Sequence, residues 1–303
     1  MTELTDIQRK ITDFMPNTEL RLWEPMSKHT SFRIGGPAEI MAFPKNTEDL
    51  AQLLKISQIL DCNCAILGAG TNVLAPDAGM NGLVICLKDC LDGMERLEGD
   101  KIRVSAGVTM ARAAVFAAGQ ELSGLEFAHG IPGTVGGAVY MNAGAYGGEI
   151  ADVCLSVDVM RRDGSVETLS ADDMKFSYRH SCLEETSGIV LSAVFQLTPK
   201  PEAQIRAQMQ DLMTRRKTSQ PLDMPSAGSA FKRPVGGYAA ALIDDAGLKG
   251  FRIGDAAVSE KHAGFVVNVG HATAADVRNL LQTVSDKVYE KSQIRLEPEV
   301  RIW

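Results

Sequence analysis

GIPGTVGGAVYMNAGAYGGE, residues 130–149, holds seven glycines in twenty positions and a single charged residue, Glu149. Glycine loses more conformational freedom on folding than any other residue, so an ordered segment keeps it where backbone must turn or be approached closely. A second stretch, LGAGTN at 67–72, follows the apolar run CAIL of 64–67. A dinucleotide-binding turn of the GxGxxG kind needs a third glycine at 73 and a helix starting there. Position 73 is Val, and Pro76, Gly79 and Gly82 follow, so a sound helix is excluded. The loop is either a nest of backbone N–H groups around an anion or a plain glycine-rich strand connection. Two such loops about sixty residues apart suit a cofactor with a pyrophosphate and a flat ring, approached by backbone at more than one place.

Working outward, the apolar spacing predicts helices over 7–14, 47–60, 110–118, 202–216, 238–246 and from 274 onward. Thr47 is the expected N-cap of the second, Gly247 the expected C′ residue of the fifth, and TAAD (273–276) a capping box for the last. Strands are expected over 64–67, 83–87, 101–106, 189–197 and 264–269. Val153, Leu155, Val157 and Val159 alternate, and Asp163-Gly164 turns that strand into one through Val166 and Leu169. The order is mixed α+β, with one boundary expected near 200, where Pro199 and Pro201 flank a lysine.

Bulk properties narrow the classes. A chain of 303 residues that is 45% hydrophobic and 23% charged builds a sizeable core. A net charge of −7 opposes nonspecific nucleic-acid binding, and no apolar run approaches bilayer length. The first residues, MTELTD, lack a basic then apolar leader, so a cytoplasmic location is expected. Six scattered cysteines form neither a disulfide scaffold nor a zinc pattern, and no metal is expected.

The motifs HTSFRIGG (29–36), LGAGTN (67–72), GIPGTVGG (130–137) with MNAGAY (141–146), YRHS (178–181), SAGSAFK (226–232), VSEKH (258–262) and LEPEVR (296–301) come in an order that resembles the UDP-N-acetylenolpyruvoylglucosamine reductase family. The resemblance covers nearly the whole chain. It implies an α+β fold: an FAD-binding region of the vanillyl-alcohol-oxidase (PCMH) type in two subdomains, 1–90 and 91–200, then an α+β substrate-binding domain over 201–303. The last strand, about 293–303, would pack back on the FAD region. The FAD is implied to be noncovalent, its pyrophosphate over Gly68, Ala69, Gly70, Thr71 and Asn72. Its flavin would lie against Gly130, Ile131, Pro132, Gly133, Thr134, Gly136, Gly137, Asn142, Ala143 and Gly144. Only about fifty residues separate Arg179 from Ser229, so the shorter family form, without a tyrosine-bearing insert, is implied.

The implied reaction passes hydride from NADPH through flavin N5 to the methylene carbon of UDP-N-acetylglucosamine enolpyruvate, and the carboxylate-bearing carbon then takes a proton. Arg179 occupies the family position that stabilises the developing charge, a task suited to a guanidinium that meets a carboxylate bidentately. Taken alone, an arginine after a tyrosine reads as a surface ion-pair residue. Ser229 holds the proton-donor position, and a serine hydroxyl needs a polarising neighbour to act as an acid; otherwise residues 226–229 are a small-residue turn. Glu299 matches the family acid, although strand period alone does not separate it from Glu297. Tyr178, Lys232 and the basic run of Arg215, Arg216 and Lys217 are candidates for the nucleotide sugar, and helix-end solvation explains the run equally well. His29 reads as a packing or hydrogen-bonding residue. The chain is expected to be a monomer whose partners are the enolpyruvyl substrate and NADPH. An FAD-dependent alcohol or sugar oxidase of the same fold is the rival reading, and a non-catalytic nucleotide-sugar module a further one.

Overall fold

The computed structural model describes residues 4–303; residues 1–3, which open the first expected subdomain, lie outside the described residues. The chain falls into two compact units, each assembled from separate segments. The first comprises the described residues up to 23, with 39–69 and 81–215, and the second 24–38, 70–80 and 216–303.

In the first unit a four-stranded sheet runs in the order Glu19–Pro25, Pro37–Phe43, Met80–Cys86, Cys64–Leu67. Cys64–Leu67 pairs in parallel with residues 83–86 and ends at the first glycine loop. The helix Thr47–Ile59 lays Leu50, Leu53 and Leu54 against Ile40, Leu83 and Ile85. Its N-cap is Asn46, not Thr47: the Asn46 side chain accepts from the Asp49 N–H at 2.8 Å, leaving Thr47 as the first helical residue. Asn is as good a cap as Thr, and its position one residue earlier decides the register.

A five-stranded antiparallel sheet completes this unit, ordered Val166–Ser170, Cys154–Met160, Ile189–Gln196, Lys101–Ser105, Met94–Leu97. Here the expected alternation fails twice. Leu155 is exposed because the register shifts between Cys154 and Ser156, and a bulge there turns it out of the core. Ile189–Gln196 is covered on both faces: Val190, Ser192 and Val194 are buried along with Ile189, Leu191 and Phe195, so the alternation marks no single face. The helix Met110–Gly119 buries Ala113, Ala114, Ala117 and Ala118, whose small side chains allow close packing. The short helix Val135–Tyr140 packs on Ile189–Gln196 and Lys101–Ser105.

In the second unit a sheet ordered Ser226–Ser229, Phe265–Asn268, Ala256–Val258, Arg252–Ile253 is entirely antiparallel. The helices Ala239–Asp245 and Ala274–Ser292 share its core through Ala239, Ile243, Val277, Leu280 and Leu281. Gly247 follows the first helix at φ +73°, and Thr273 forms the expected capping box with Asp276. The final strand, Arg301–Ile302, pairs in parallel with Val73–Leu74, so the chain end is fastened just beyond the LGAGTN loop. Among the described residues no helix is long and apolar enough to cross a membrane.

Candidate active site

Within the first unit, the start of the LGAGTN loop comes up against Thr134 of the second glycine-rich stretch. A Cβ on Gly68 would stand 2.6 Å from Thr134 Oγ1. The turn ahead of Val135–Tyr140 is stitched to residues 106–110 by Met110 N–H to Gly133 O at 2.9 Å, Val135 N–H to Val108 O at 2.8 Å and Gly136 N–H to Ala106 O at 2.9 Å. Gly136 is glycine for the protein's own sake, since its Cβ would come within 3.0 Å of Ala106 Cβ. Gly137 is different: it is exposed, and a Cβ there would meet only Thr134 Oγ1, at 3.7 Å. Thr134 is 1% exposed, yet its hydroxyl does not cap the helix it heads. Open backbone beside a hydroxyl not spent on capping fits a cofactor that lies directly on the chain. Ile131, Gly133 and Gly144 are half-buried, Pro132 is exposed, and Ala143 is buried.

The loop continues into the second unit at Gly70, whose φ is +61° and whose Cβ would overlap the His29 carbonyl oxygen. Its own carbonyl accepts from the Ser31 N–H at 3.1 Å. Thr71 and Asn72 are half-buried, and Asn72 is tied to the final strand on both sides. Its Nδ2 donates to Glu299 O at 3.1 Å, and its carbonyl accepts from the Arg301 N–H at 2.9 Å.

That final segment also meets the serine strand. Ala230 O accepts from the Glu299 N–H at 2.9 Å, Lys232 N–H donates to Glu297 O at 2.9 Å, and Phe231 bridges Pro298. Ser229 is therefore one residue from the position paired with Glu299, and it is exposed. Residues 226–229 are a strand rather than a free turn, with a register irregularity between Ser226 and Ser229 and Gly228 at φ +76°. Such irregularities re-aim side chains next to active sites. Pairing also separates the two glutamates. Glu297 is engaged by Lys232 Nζ and largely exposed, whereas Glu299 is half-buried.

Arg179 belongs to the first unit. Ser177 and His180 exchange backbone hydrogen bonds, which puts Tyr178 and Arg179 at the centre of a tight turn. Arg179 has φ +57°, one of eleven non-glycine residues with positive φ among the described residues. Its Nη2 donates to Gly144 O at 3.2 Å, and its guanidinium lies 5.0 Å from the Tyr178 ring centroid. The side chain is half-buried and laid against the glycine-rich segment.

Two family profiles match the chain, one described as "FAD binding domain" over residues 38–170 and one as "UDP-N-acetylenolpyruvoylglucosamine reductase, C-terminal domain" over 220–303. The UDP-N-acetylenolpyruvoylglucosamine reductase of Agathobacter rectalis is 47% identical over 305 residues, 97% of each chain. The chain belongs to the UDP-N-acetylenolpyruvoylglucosamine reductase family. A crystal structure of that enzyme from Thermus caldophilus matches with a TM-score of 0.80 at 36% identity, over 95% of this chain and 99% of that one. A cholesterol oxidase variant from Brevibacterium sterolicum matches 65% of this chain and 40% of its own at a TM-score of 0.50 and 13% identity, a likeness of fold alone. The fold is thus an FAD-binding region of the vanillyl-alcohol-oxidase type joined to the family's α+β C-terminal domain.

Within this reductase family chain the basic run divides. Arg215 pairs with Asp211 at 2.8 Å on the helix surface, as helix solvation requires. Arg216 is 9% exposed, and Lys217 is exposed with its carbonyl accepting from Lys261 Nζ at 2.6 Å. His29 Nε2 hydrogen-bonds Glu24 Oε1 at 2.9 Å, which gives it the hydrogen-bonding role expected. Ser181, quoted in the YRHS motif without a role, is fully buried and donates to Tyr140 O at 2.6 Å. A hydroxyl two residues after the arginine was the available signal.

Proposed function

We propose that this chain reduces the enolpyruvyl ether of UDP-N-acetylglucosamine enolpyruvate to UDP-N-acetylmuramate in peptidoglycan precursor synthesis, with noncovalent FAD and NADPH as reductant. The observation that carries the site assignment is the pairing of the Ser229 strand with the Glu299 segment, which is itself tied to Asn72 of the LGAGTN loop. Bound FAD supplies the relay of a hydride from the nicotinamide to the substrate's methylene carbon. Gly68, Ala69 and Thr134, with Gly70, Thr71 and Asn72, are the residues to hold it, and Gly137 leaves its backbone open. Gly130 to Gly144 offer the remaining backbone surface, with Ile131, Pro132, Gly133, Gly136, Asn142 and Ala143 along it.

As the electron pair moves onto the carboxylate-bearing carbon, Arg179 offsets the charge with a fixed guanidinium. Ser229 Oγ delivers the proton to that carbon, and Glu299 orients the reacting group. Tyr178 and Lys232, with Arg216 and Lys217, are assigned to the nucleotide sugar, whose diphosphate calls for cations. The division is proposed as 1–90, 91–200 and 201–303. The boundary near 200 has the support of the profile limits, since 171–219 separates the two matches, whereas the FAD-binding match runs unbroken through residue 90. The protein acts in the cytoplasm as a monomer of the shorter family form: the strand Ile189–Gln196 and the helix Glu202–Ser219 occupy much of the chain between Arg179 and Ser229.

Anaerobic stopped flow tests the assignment. NADPH should bleach the purified yellow protein, and the enolpyruvyl substrate should restore the colour. Ser229→Ala should bleach at close to the wild-type rate while its reoxidation slows by about 10²–10⁴-fold. Equal slowing of both steps would give Ser229 a shaping role and move the proton elsewhere. Rapid reoxidation by oxygen with an alcohol or sugar as reductant, and none by the enolpyruvyl compound, would favour the oxidase reading.

A further inference from the structure

We propose that Asn142 and Ser181 are positioning residues that fix Arg179 in its left-handed turn and thereby set where its guanidinium meets the substrate; the proposal rests on the reading of Arg179 given above. The turn of residues 177–180 has little to hold it by itself. Its two backbone bonds span only four residues, and a left-handed arginine opposes the turn rather than favouring it. Its flanks are joined by the Cys182 N–H to Met174 O bond at 2.8 Å, and two side-chain fastenings tie it to the segment that ends the helix Val135–Tyr140. Asn142 Nδ2 donates to Ser177 O at 3.0 Å on one side of the turn, and Ser181 Oγ donates to Tyr140 O at 2.6 Å on the other. Arg179 Nη2 then reaches Gly144 O of the same segment.

Both fastening side chains are completely buried, so neither donor has water as a ready alternative partner. Asn142 is itself left-handed, at φ +43°, a conformation that asparagine tolerates better than most residues. Its Oδ1 accepts from the Ala151 N–H at 2.9 Å, so the amide joins three separate stretches of backbone. This accounts for a buried asparagine in a segment otherwise rich in glycine and alanine. A guanidinium on a flexible stem would sample many positions. One on a turn clamped at Ser177 and Ser181 meets a developing carboxylate charge in one place, and misplacement by about an ångström is enough to cost on the order of 10² in rate.

The test uses the FAD-loaded full chain. Ser181→Ala removes a single buried hydroxyl, and Asn142→Ala removes the other fastening. Reoxidation by the enolpyruvyl substrate should slow by about 10–100-fold in each. In Ser181→Ala, which removes no group from the FAD surface, bleaching by NADPH should change little, while the thermal midpoint of either apoprotein falls because a buried hydrogen bond is lost. Calorimetric binding of UDP-N-acetylmuramate should weaken in parallel with reoxidation. In an Arg179→Ala background, adding Ser181→Ala should slow reoxidation by less than about twofold, because the residue it positions is gone. Wild-type reoxidation in Ser181→Ala beside slow reoxidation in Arg179→Ala overturns the positioning role alone. Full additivity of the two substitutions, or equal slowing of both half-reactions, overturns it as well. Normal reoxidation in Arg179→Ala overturns the reading of Arg179, and this proposal falls with it. If Asn142→Ala does not fold, the Ser181→Ala cycle decides.

Discussion

Glycines of the two loops serve different ends, and a Cβ placed on each tells them apart. Gly70 combines φ +61° with a carbonyl where its side chain would go, so the fold itself forbids anything larger. Loss of FAD on a bulky substitution there would follow from distortion of the loop and would say nothing about contact with the cofactor. Gly137 has room and lies in the helix Val135–Tyr140, where glycine is about 1 kcal/mol less favourable than a good helix former. Gly137→Leu should therefore leave the apoprotein as stable as the wild type, or more so, while weakening FAD binding at least tenfold. Fluorescence titration of apoprotein with FAD, beside a urea melt, separates the two effects. Unchanged affinity would remove Gly137 from the flavin surface. Legibility at this scale follows the same division. That the loops are glycine-rich for a ligand could be read from spacing, but which glycines answer to the ligand depends on neighbours such as His29 and Ala106, far away in the chain.

At the scale of elements, the helix Ala274–Ser292 shows how distant segments are welded into the second unit. A helix start leaves four N–H groups without intrahelical partners. Here Thr273 N–H goes to Asp276 Oδ2, Asp276 N–H to Thr273 Oγ1, and Ala274 and Ala275 N–H to the two carboxylate oxygens of Asp77 at 2.7 and 3.0 Å. The capping box was legible as TAAD; the Asp77 cap was not, because nearly two hundred residues separate it from the helix. Asp77→Ala should lower the stability of the second unit by about 0.5–2 kcal/mol, the usual range for a lost cap, and Asp77→Asn by less. Urea midpoints of the three proteins, at one ionic strength, measure it, and identical midpoints would show that the cap adds nothing. The choice between Glu297 and Glu299 was closed to the sequence for a related reason. Strand period would put both on one face, and it is the tertiary placement that distinguishes them: Lys232 engages Glu297, which is exposed, while Glu299 is half-buried.

Over the whole molecule, each unit carries one histidine whose pKa is held below its ordinary value. Burial is the main cause for both, with Arg206 adding to it at His129 and Lys249 at His262. Geometry supports the neutral form at His262, where Nδ1 accepts from the Gly264 N–H at 3.2 Å and so carries no proton itself. Unfolded, a histidine titrates near pH 6.5. Below that pH the unfolded chain binds a proton that the folded chain refuses, so stability is complete above about pH 6.5 and falls as the solution is acidified toward the depressed folded value. One proton limits the slope to about 1.4 kcal/mol per pH unit, and the half-exposed His262 ring should give well under that. His262→Gln should flatten the decline in urea midpoint between pH 7 and 5.5 for the second unit, leaving the His129 contribution to the first. A probe confined to each unit resolves them: the Trp303 fluorescence change reports the second unit, and Trp23 the first, in single-tryptophan variants. If the Trp303 midpoint in His262→Gln falls with pH as steeply as in the parent, the neutral ring contributes nothing to acid sensitivity, and the loss of stability must come from carboxylates that titrate lower.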